Sequence, residues 1–387
     1  MDLRLSDEQR LLTGAIRRFV QEQILPLEAE LDPDAFELPE EDYQRLVAMV
    51  RGMGYWNLFV PAEFGGPGLP LTTLSLVAEE MSQHRAGLYA PCYHVFGGGG
   101  GLVQLYEAND DQKERYLYPL LRGEKRAFFA LTEPSGGSDP ARAIRTTAVR
   151  DGDYWLLSGT KTFISGADRA DFGLVFARTD PQAGRGGITC FIVDTDTPGF
   201  RVRRVIHTLR SSEYACEIEL DNCRVPQANV LGQVGQGFAI ANERLTRSRV
   251  TYAAGSLGVA VAAQRLAIAW AKQRETFGDL LANRQAIQWM LVDNELDIRT
   301  SRWLVLDAAA RADRGEPFRS EAAMAKLVAT EAAGRVVDRA MQVYGGLGVS
   351  KDLPLERWWR ELRIRRIGEG PSEVQRIIIA RDLLARG

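Results

Sequence analysis

The residues best suited to chemistry lie in a glycine-bounded loop near the C-terminus. Glu369 stands between Gly368 and Gly370, and these glycines let the backbone come close to a ligand. Ser372 and Gln375 have the spacing of a capping box, which predicts that a helix begins beside the loop and holds it in place. A carboxylate in this setting can act as a general base if a dry pocket raises its pKa. Alternatively, Glu369 is a solvated loop residue or an ion-pair partner of the arginines just upstream.

A second polar segment lies near the middle of the chain, in the sequence FFALTEPSGGSDP. It offers hydroxyls and backbone amides at Thr132, Ser135, Gly136, Gly137 and Ser138. These groups could line a polar ligand. The alternative is a plain serine and glycine turn, which is a common structure in proteins.

Composition excludes several classes of protein. The 387 residues are 45% hydrophobic and 26% charged, as in ordinary soluble globular proteins, and the net charge of -3 does not favour nucleic-acid or acidic-membrane binding. We find no apolar run that approaches a transmembrane span and no signal-peptide pattern at the N-terminus. The four scattered cysteines indicate reduced packing residues in a cytoplasmic protein. The three distant histidines do not favour a zinc site.

The elements that must position these polar segments fall into three blocks. Residues 1–126 have helical hydrophobic spacing and predict an N-terminal helical domain. Residues 127–234 contain short runs rich in β-branched and aromatic residues between turn signals, which predicts a middle antiparallel β domain. Residues 235–387 return to helical spacing.

The last block predicts a four-helix bundle. Long helical patterns cover residues 238–273, 285–312 and 320–343, and the helix after Glu369 completes the set. In the first block, the five glycines at 97–101 interrupt a helical pattern. They form either a flexible link between helices or a wall without side chains that makes room for a ligand.

Several motifs, read together, resemble one family. LTEPSGGSD, RETFG, QVYGG and GEGPSEVQRIIIAR occur in the order typical of the acyl-CoA dehydrogenase family, and the resemblance covers essentially the whole chain. It implies an N-terminal all-α domain, a middle antiparallel β-barrel domain and a C-terminal four-helix bundle. It also implies bound FAD, an acyl-CoA substrate, a homotetramer, and electron-transferring flavoprotein as the electron acceptor.

The resemblance also assigns roles to residues of this chain. Glu369 matches the catalytic base of most members. Two segments match those that line or cover the flavin: Phe129, Leu131, Thr132, Gly137 and Ser138, and then Phe163, Ile164 and Ser165. Residues matching those that reach the FAD of a neighbouring subunit or receive its adenine dinucleotide end are Arg274, Thr276, Phe277, Gln285, Gln342, Val343, Gly345 and Gly346. Gly370, Pro371 and Glu373 are assigned to the cofactor as well, and Ser138, Arg247, Arg249 and Gly368 to the acyl-CoA.

The chain departs from the family pattern at the catalytic loop. Gly368 replaces the usual aromatic residue, Pro371 replaces the usual threonine, and Phe163 replaces a tryptophan. The first change, together with the five glycines, suggests a roomier or differently shaped acyl pocket. Some family members carry the base on the first bundle helix, directly before an arginine. That position is Ser248 here, and Glu243 is less well aligned with it, which favours Glu369.

The activity implied by the resemblance is α,β-dehydrogenation of an acyl-CoA thioester to the trans-2-enoyl-CoA. Glu369 would remove the α-proton while the β-hydride passes to N5 of FAD. Two alternatives remain open. One is an acyl-CoA oxidase or flavin monooxygenase on the same fold, and the other is a catalytically inactive homologue that binds acyl-CoA or a partner protein.

Overall fold

The structure is a computed structural model that describes residues 5–97, 102–210 and 215–385. Its N-terminal part consists of short and medium helices, as predicted. These are α1 (Asp7–Phe19), α2 (Leu25–Glu30), α3 (Glu40–Gly52), α4 (Leu71–Met81), α5 (Asp110–Gln112) and α6 (Tyr118–Arg122). Apolar side chains one helical turn apart, such as Ile16 and Val20 of the first helical segment, are fully buried against Leu46 and Val50 of α3. Of the five glycines, those at 98–101 lie outside the described residues.

The middle part is a sheet, and the short helix α7 (Pro140–Ala143) lies between its first and second strands. Its strands are β1 (Ala127–Ala130), β2 (Thr147–Asp151), β3 (Tyr154–Ser165), β4 (Phe172–Arg178), β5 (Ile188–Asp194), β6 (Phe200–Ile206), β7 (Ala215–Pro226) and β8 (Val230–Leu231). The order is β6-β7-β3-β2-β4-β5-β8, and β1 pairs with β4. Most strand pairs are antiparallel, but β1 and β2 each run parallel to β4.

The predicted closed barrel is wrong for the part of the chain that the structure describes. The strand path begins at β6 and ends at the two-residue strand β8, and these end strands do not pair. Both faces of β4 are covered instead. Leu174 packs toward the N-terminal helices, whereas Val175 packs with Leu157 and Ile218 of β3 and β7. One face of β4 is thus covered by the N-terminal helices and the other by strands of the same sheet, so water is excluded although the end strands do not pair.

The C-terminal part confirms the long helices and adds one that was not expected. It contains α8 (Gly237–Ala271), the hairpin β9 (Glu275–Thr276) and β10 (Asp279–Leu280), α9 (Gln285–Asp313), α10 (Arg319–Tyr344), α11 (Leu355–Arg365) and α12 (Ser372–Ala385). The helices cross closely because small residues line them. A Cβ on Gly258 of α8 would lie 2.1 Å from the carbonyl oxygen of Glu79 in α4. Thus α4 of the first block packs directly on the bundle.

Helix α8 is long and apolar enough, by length and composition, to cross a membrane. The sequence prediction of no such run was therefore too strict. However, 67% of its most apolar window is buried inside the protein, which is how the core helix of a bundle behaves.

Candidate active site

Glu369 lies in a strained loop that several side chains hold in place. Its φ of 56° is in the left-handed region, which side chains other than glycine rarely adopt. The guanidinium Nε of Arg249 donates to the carbonyl oxygen of Glu369 at 3.2 Å. Gln375 Nε2 and Lys326 Nζ donate to the carbonyl oxygen of Gly370 at 2.8 and 2.9 Å. A conformation that costs energy and is fixed by three neighbouring elements is typical of a functional site.

The carboxylate itself has one hydrogen-bond donor in α8. Ser248 Oγ donates to Oε2 of Glu369 at 3.0 Å, and within the described residues Oε1 accepts no hydrogen bond. Ser248, the position considered above as an alternative site for the base, therefore contacts the Glu369 carboxylate directly from α8. The side chain of Glu243 lies outside the described part of the structure.

The capping box predicted for α12 is wrong. Ser372 Oγ donates to Oε1 of Glu331 at 2.8 Å, and the Gln375 amide turns back to the loop carbonyls. The same pattern at the start of α1 does form a capping box, in which Ser6 Oγ accepts from the Gln9 amide. Near Glu369, Gln375 therefore holds the loop and Ser372 ties the start of α12 to α10, so neither side chain caps the helix.

Buried cations surround the loop. Arg249 and Lys326 are 4% and 0% exposed, and Arg365 of α11 is 6% exposed. Burial, together with the charge of Arg249, lowers the pKa of Lys326 to about 8. Three buried basic groups thus lie near the one carboxylate of Glu369, and the field at this end of the bundle favours an anion.

An aromatic residue from α8 occupies the space beside Gly368. A Cβ added to Gly368 would lie 2.7 Å from the hydroxyl oxygen of Tyr252. The ring of Tyr252 stacks on the guanidinium of Arg365, 3.7 Å from its centroid. The glycine at position 368 therefore does not simply give the roomier pocket that was expected, because the hydroxyl end of Tyr252 lies against it.

The middle-domain segment forms a second group of candidate residues. The backbone amide of Thr162 donates to the carbonyl oxygen of Thr132 at 3.0 Å, which joins the polar loop to β3. The ring of Phe163 is 60% exposed and its φ is 57°. The hydroxyls of Thr132, Ser138 and Ser165 make no hydrogen bond to other described residues. Phe129, Leu131, Gly137 and Ile164 lie in the same segment, on β1, the loop and β3.

A buried ion pair supports this second group. Lys161 Nζ donates to Oε1 of Glu133 at 2.8 Å and also to the carbonyl oxygens of Phe176 and Leu131. The second oxygen of Glu133 accepts from the amide of Arg145 at 2.6 Å. Both side chains are nearly inaccessible. The pair therefore fixes the LTEPSGGSD loop against the strand that carries Phe163.

A third group lies at the far end of the bundle. Arg274, Thr276, Phe277 and Gln285 surround the β9–β10 hairpin after α8, and Gln342, Val343, Gly345 and Gly346 are at the end of α10. Phe277 is 100% exposed with a φ of 51°. Along α8 the hairpin is roughly 35 Å from Ser248, at 1.5 Å per residue. One chain therefore does not bring its third group to its own Glu369.

The other predicted residues have separate positions. Arg247 is exposed and lines a cavity of about 410 Å³ together with residues of the 59–69 loop. Arg249 is beside Glu369, as described above. Gly370 and Pro371 continue the loop, and Glu373 is in the first turn of α12.

Sequence reasoning missed several residues of these groups. Lys326 stands in an alanine-rich helical stretch, and Lys161 lies within the alternating pattern of a strand. A charged residue at a position where the pattern requires burial is a usable signal for both. Tyr252 and Arg365 gave no local signal, because they meet only when α8 and α11 pack together.

The comparisons with known proteins agree with this architecture. Family models match the acyl-CoA dehydrogenase N-terminal domain over residues 6–124, the middle domain over residues 128–223 and the C-terminal domain over residues 235–384. The chain belongs to the acyl-CoA dehydrogenase family, whose members are FAD-dependent oxidoreductases.

Its relatives include enzymes named for both directions of the chemistry. The 3-(aryl)acrylate reductase of Clostridium sporogenes is 38% identical over 98% of this chain and 99% of the relative. Acryloyl-CoA reductase (NADH) of Anaerotignum propionicum is 37% identical over 100% of this chain and 97% of the relative. The structure of butyryl-CoA dehydrogenase from Megasphaera elsdenii has a TM-score of 0.87 and 32% identity, and the match covers 99% of this chain and 100% of that one.

The middle-domain residues fit the flavin that the family carries. Phe163 presents an exposed apolar ring beside the unbonded hydroxyls of Thr132 and Ser165, so a flat, polar-edged ring system has both a surface and donors. Added Cβ atoms on Gly345 and Gly346 would meet no atom within 4 Å, which leaves backbone accessible at the third group.

Proposed function

We propose that this enzyme dehydrogenates an acyl-CoA thioester between its α- and β-carbons, with Glu369 as the base. The observation that carries the proposal is the strained, over-determined placement of Glu369 with one carboxylate oxygen held by Ser248. The other oxygen has no hydrogen-bond partner among the described residues and can accept a proton. A base held rigidly in this way supplies the positioning that proton abstraction requires.

Each part of the site has a separate task in this scheme. Bound FAD supplies the acceptor for the β-hydride. Glu369 takes the α-proton, and the electrons of the broken α C–H bond form the new double bond as the β-hydrogen leaves as hydride. Arg249, Gln375 and Lys326 keep the loop backbone from moving away from the substrate. Thr132, Ser138, Phe163, Ile164 and Ser165 orient the flavin.

We further propose that the active form is a homotetramer, in which the third group completes the FAD site of a neighbouring subunit. The exposed apolar side chains of α9 support self-association, since Trp289, Val292, Leu296 and Trp303 recur at helical spacing. The domain division at 126/127 and 234/235, a cytoplasmic location and electron-transferring flavoprotein as acceptor belong to the same proposal. The cysteines support the location, because all four are buried thiols.

An anaerobic titration tests the proposed reaction. The purified holoenzyme is mixed with a panel of acyl-CoA thioesters while its visible spectrum is recorded. We expect the flavin absorbance to bleach with at least one of them and the enoyl-CoA to appear. Glu369→Gln should retain FAD and lose bleaching. Wild-type bleaching in that variant, or a protein that takes up no FAD, would contradict the proposal.

A second candidate is the reverse reaction, the reduction of a 2-enoyl thioester. It is favoured by the two relatives that are named as reductases. The same residues would serve, with a protonated Glu369 returning a proton to the α-carbon as the reduced flavin supplies the hydride. Because one active site catalyses this half-reaction in both directions, the position of its equilibrium distinguishes the two candidates. If the enzyme is a reductase, enoyl-CoA should reoxidise dithionite-reduced flavin almost completely without oxygen, and the saturated acyl-CoA should bleach the oxidised flavin only slightly.

A further inference from the structure

Two tyrosines and an arginine form a cluster next to the base. We define the tyrosine–arginine cluster as Tyr89, Tyr252 and Arg365. The Arg365 guanidinium lies 3.7 Å from the centroid of the Tyr252 ring and 4.7 Å from that of Tyr89. The cluster is adjacent to Glu369 because the Tyr252 hydroxyl lies against Gly368. Both tyrosines are only half-buried, so part of their surface remains accessible.

Arg365 is a buried cation whose hydrogen-bonding capacity is mostly unused. It is 6% exposed, and among the described residues it makes one hydrogen bond, from Nη1 to the Tyr252 carbonyl oxygen at 3.3 Å. Its Nε is buried without a partner. Glu361, one turn earlier on α11, is paired with Arg357 at 3.1 Å instead. A buried guanidinium without a carboxylate partner is costly, and an anionic ligand would relieve that cost.

The geometry of the cluster selects the chemistry of the ligand. The aromatic rings lie against the guanidinium, and its Nε–H is the donor that is buried without a hydrogen-bond partner among the described residues. The Nε edge of the guanidinium matches a carboxylate, which can accept two parallel hydrogen bonds from an arginine, and it does not match the face of another aromatic ring. The buried charges of Arg249 and Lys326 add to the attraction of an anion.

The distance from the base sets the size of the ligand. Ser248, which holds the Glu369 carboxylate, and Tyr252, which stacks on Arg365, are one turn apart on α8, roughly 6 Å between their Cβ atoms. A group that reaches Arg365 while its α-carbon is at Glu369 must therefore be short. Resting on the proposed function, we propose that the tyrosine–arginine cluster binds a carboxylate at the far end of the acyl chain, so that the enzyme acts on short dicarboxylic acyl thioesters.

Pairs of substrates that differ only in the terminal group test this inference. Glutaryl-CoA is compared with valeryl-CoA, and adipyl-CoA with hexanoyl-CoA, by kcat/KM with an artificial electron acceptor. We expect the wild type to prefer the better dicarboxylic member by about 100-fold, as one charge-assisted bidentate pair can supply. Equal values within both pairs would overturn the inference, as would a stronger preference for 3-phenylpropionyl-CoA.

Variants of α11 provide the matched control. Arg365→Met should reduce the preference to about the level of the uncharged substrates, whereas Arg363→Met, an exposed arginine on the same helix, should retain it. Arg365→Lys keeps the charge but loses the two-pronged geometry, so we expect an intermediate preference. If Arg365→Met fails to fold, the kcat/KM ratios of the wild type and of Arg365→Lys still test the inference. An unchanged preference in Arg365→Lys and Arg365→Met would overturn the role of this residue.

A binding measurement separates this inference from the proposed reaction. The Glu369→Gln holoenzyme is titrated with glutaryl-CoA and valeryl-CoA, and Kd is measured by calorimetry, which needs no turnover. Tighter binding of glutaryl-CoA, lost when Arg365→Met is added, supports the carboxylate site even if no acyl-CoA bleaches the wild-type flavin. Equal Kd values would overturn it, even if valeryl-CoA bleaches the flavin and the proposed reaction holds.

Discussion

Two buried charge networks of this enzyme differ in whether all of their hydrogen-bond donors and acceptors have partners. In the middle domain, Lys161 and Glu133 satisfy each other, and the remaining capacity is taken up by backbone carbonyls and amides. Around the Glu369 loop, Arg249 Nη1 and Arg365 Nε are buried without hydrogen-bond partners among the described residues, and Lys326 is a third buried cation there.

The difference separates a scaffold from a binding site. A closed network, whose polar groups are all hydrogen-bonded, makes its segment rigid. In an incomplete network, which has unpaired buried donors, a ligand that supplies acceptors forms new hydrogen bonds and is thereby stabilised. The Lys161–Glu133 pair therefore holds the LTEPSGGSD loop on β3. The proposed function gives the incomplete network the task of binding and deprotonating the acyl thioester. Variants of the two networks should accordingly fail in different ways.

The largest effect on stability is expected where the closed network is broken. Lys161→Met leaves Glu133 buried without its cation, which should lower the free energy of unfolding by about 3–5 kcal/mol. Urea denaturation of the holoenzyme measures this change, and the flavin content of the purified protein should fall with it. Adding Glu133→Gln should recover part of the loss. An unchanged free energy of unfolding in Lys161→Met would contradict the stabilising role of the Lys161–Glu133 pair.

A smaller effect is expected from filling the space at Gly368. A Cβ at this position would lie 2.7 Å from the hydroxyl oxygen of Tyr252, so Gly368→Ala should cost about 1–3 kcal/mol through overpacking. Tyr252→Phe removes that oxygen, and the double variant should regain most of the stability. The unfolding free energies of the four proteins form a double-mutant cycle. Additive effects would show that the two residues do not compete for this space.

The smallest effect concerns the pH dependence of stability. The pKa of Lys326 is lowered to about 8, from an ordinary value near 10.5, by burial and by Arg249. Between these values the unfolded chain binds more protons than the folded protein, so the free energy of unfolding rises with pH. From about pH 7 to about pH 9 the wild type should gain about 1 kcal/mol relative to Lys326→Met. Parallel urea-midpoint curves for the two proteins would contradict the burial of a charged Lys326.

Much of the fold follows from local sequence patterns, and the failed capping box shows where a contact with another helix overrides such a pattern. The helical spacing located α8, α9, α10 and α12, because their apolar faces are continuous in sequence. The Ser6–Gln9 box formed, whereas Ser372 and Gln375 were diverted to Glu331 and the loop carbonyls. A capping pattern does not reveal a competing partner that comes from another helix.

The site was less predictable than the fold. Glu369 could be selected because a carboxylate between glycines is a local feature. Its support from Ser248, and the meeting of Tyr252 with Arg365, depend on packing between residues more than 100 positions apart in the chain. Closure of the sheet likewise depends on how its end strands meet, which alternating patterns do not specify.

The central claim, that Glu369 removes the α-proton, can be measured without turnover. A 3-thia-acyl-CoA has sulfur in place of the β-carbon, so it can lose an α-proton but has no β-hydride to give. Exchange of its α-protons in D₂O is followed by NMR with wild-type and Glu369→Gln holoenzymes of equal flavin content. We expect the wild type to catalyse exchange and the variant to be slower by at least about 100-fold. Equal exchange rates in the two proteins would contradict the assignment of Glu369 as the base.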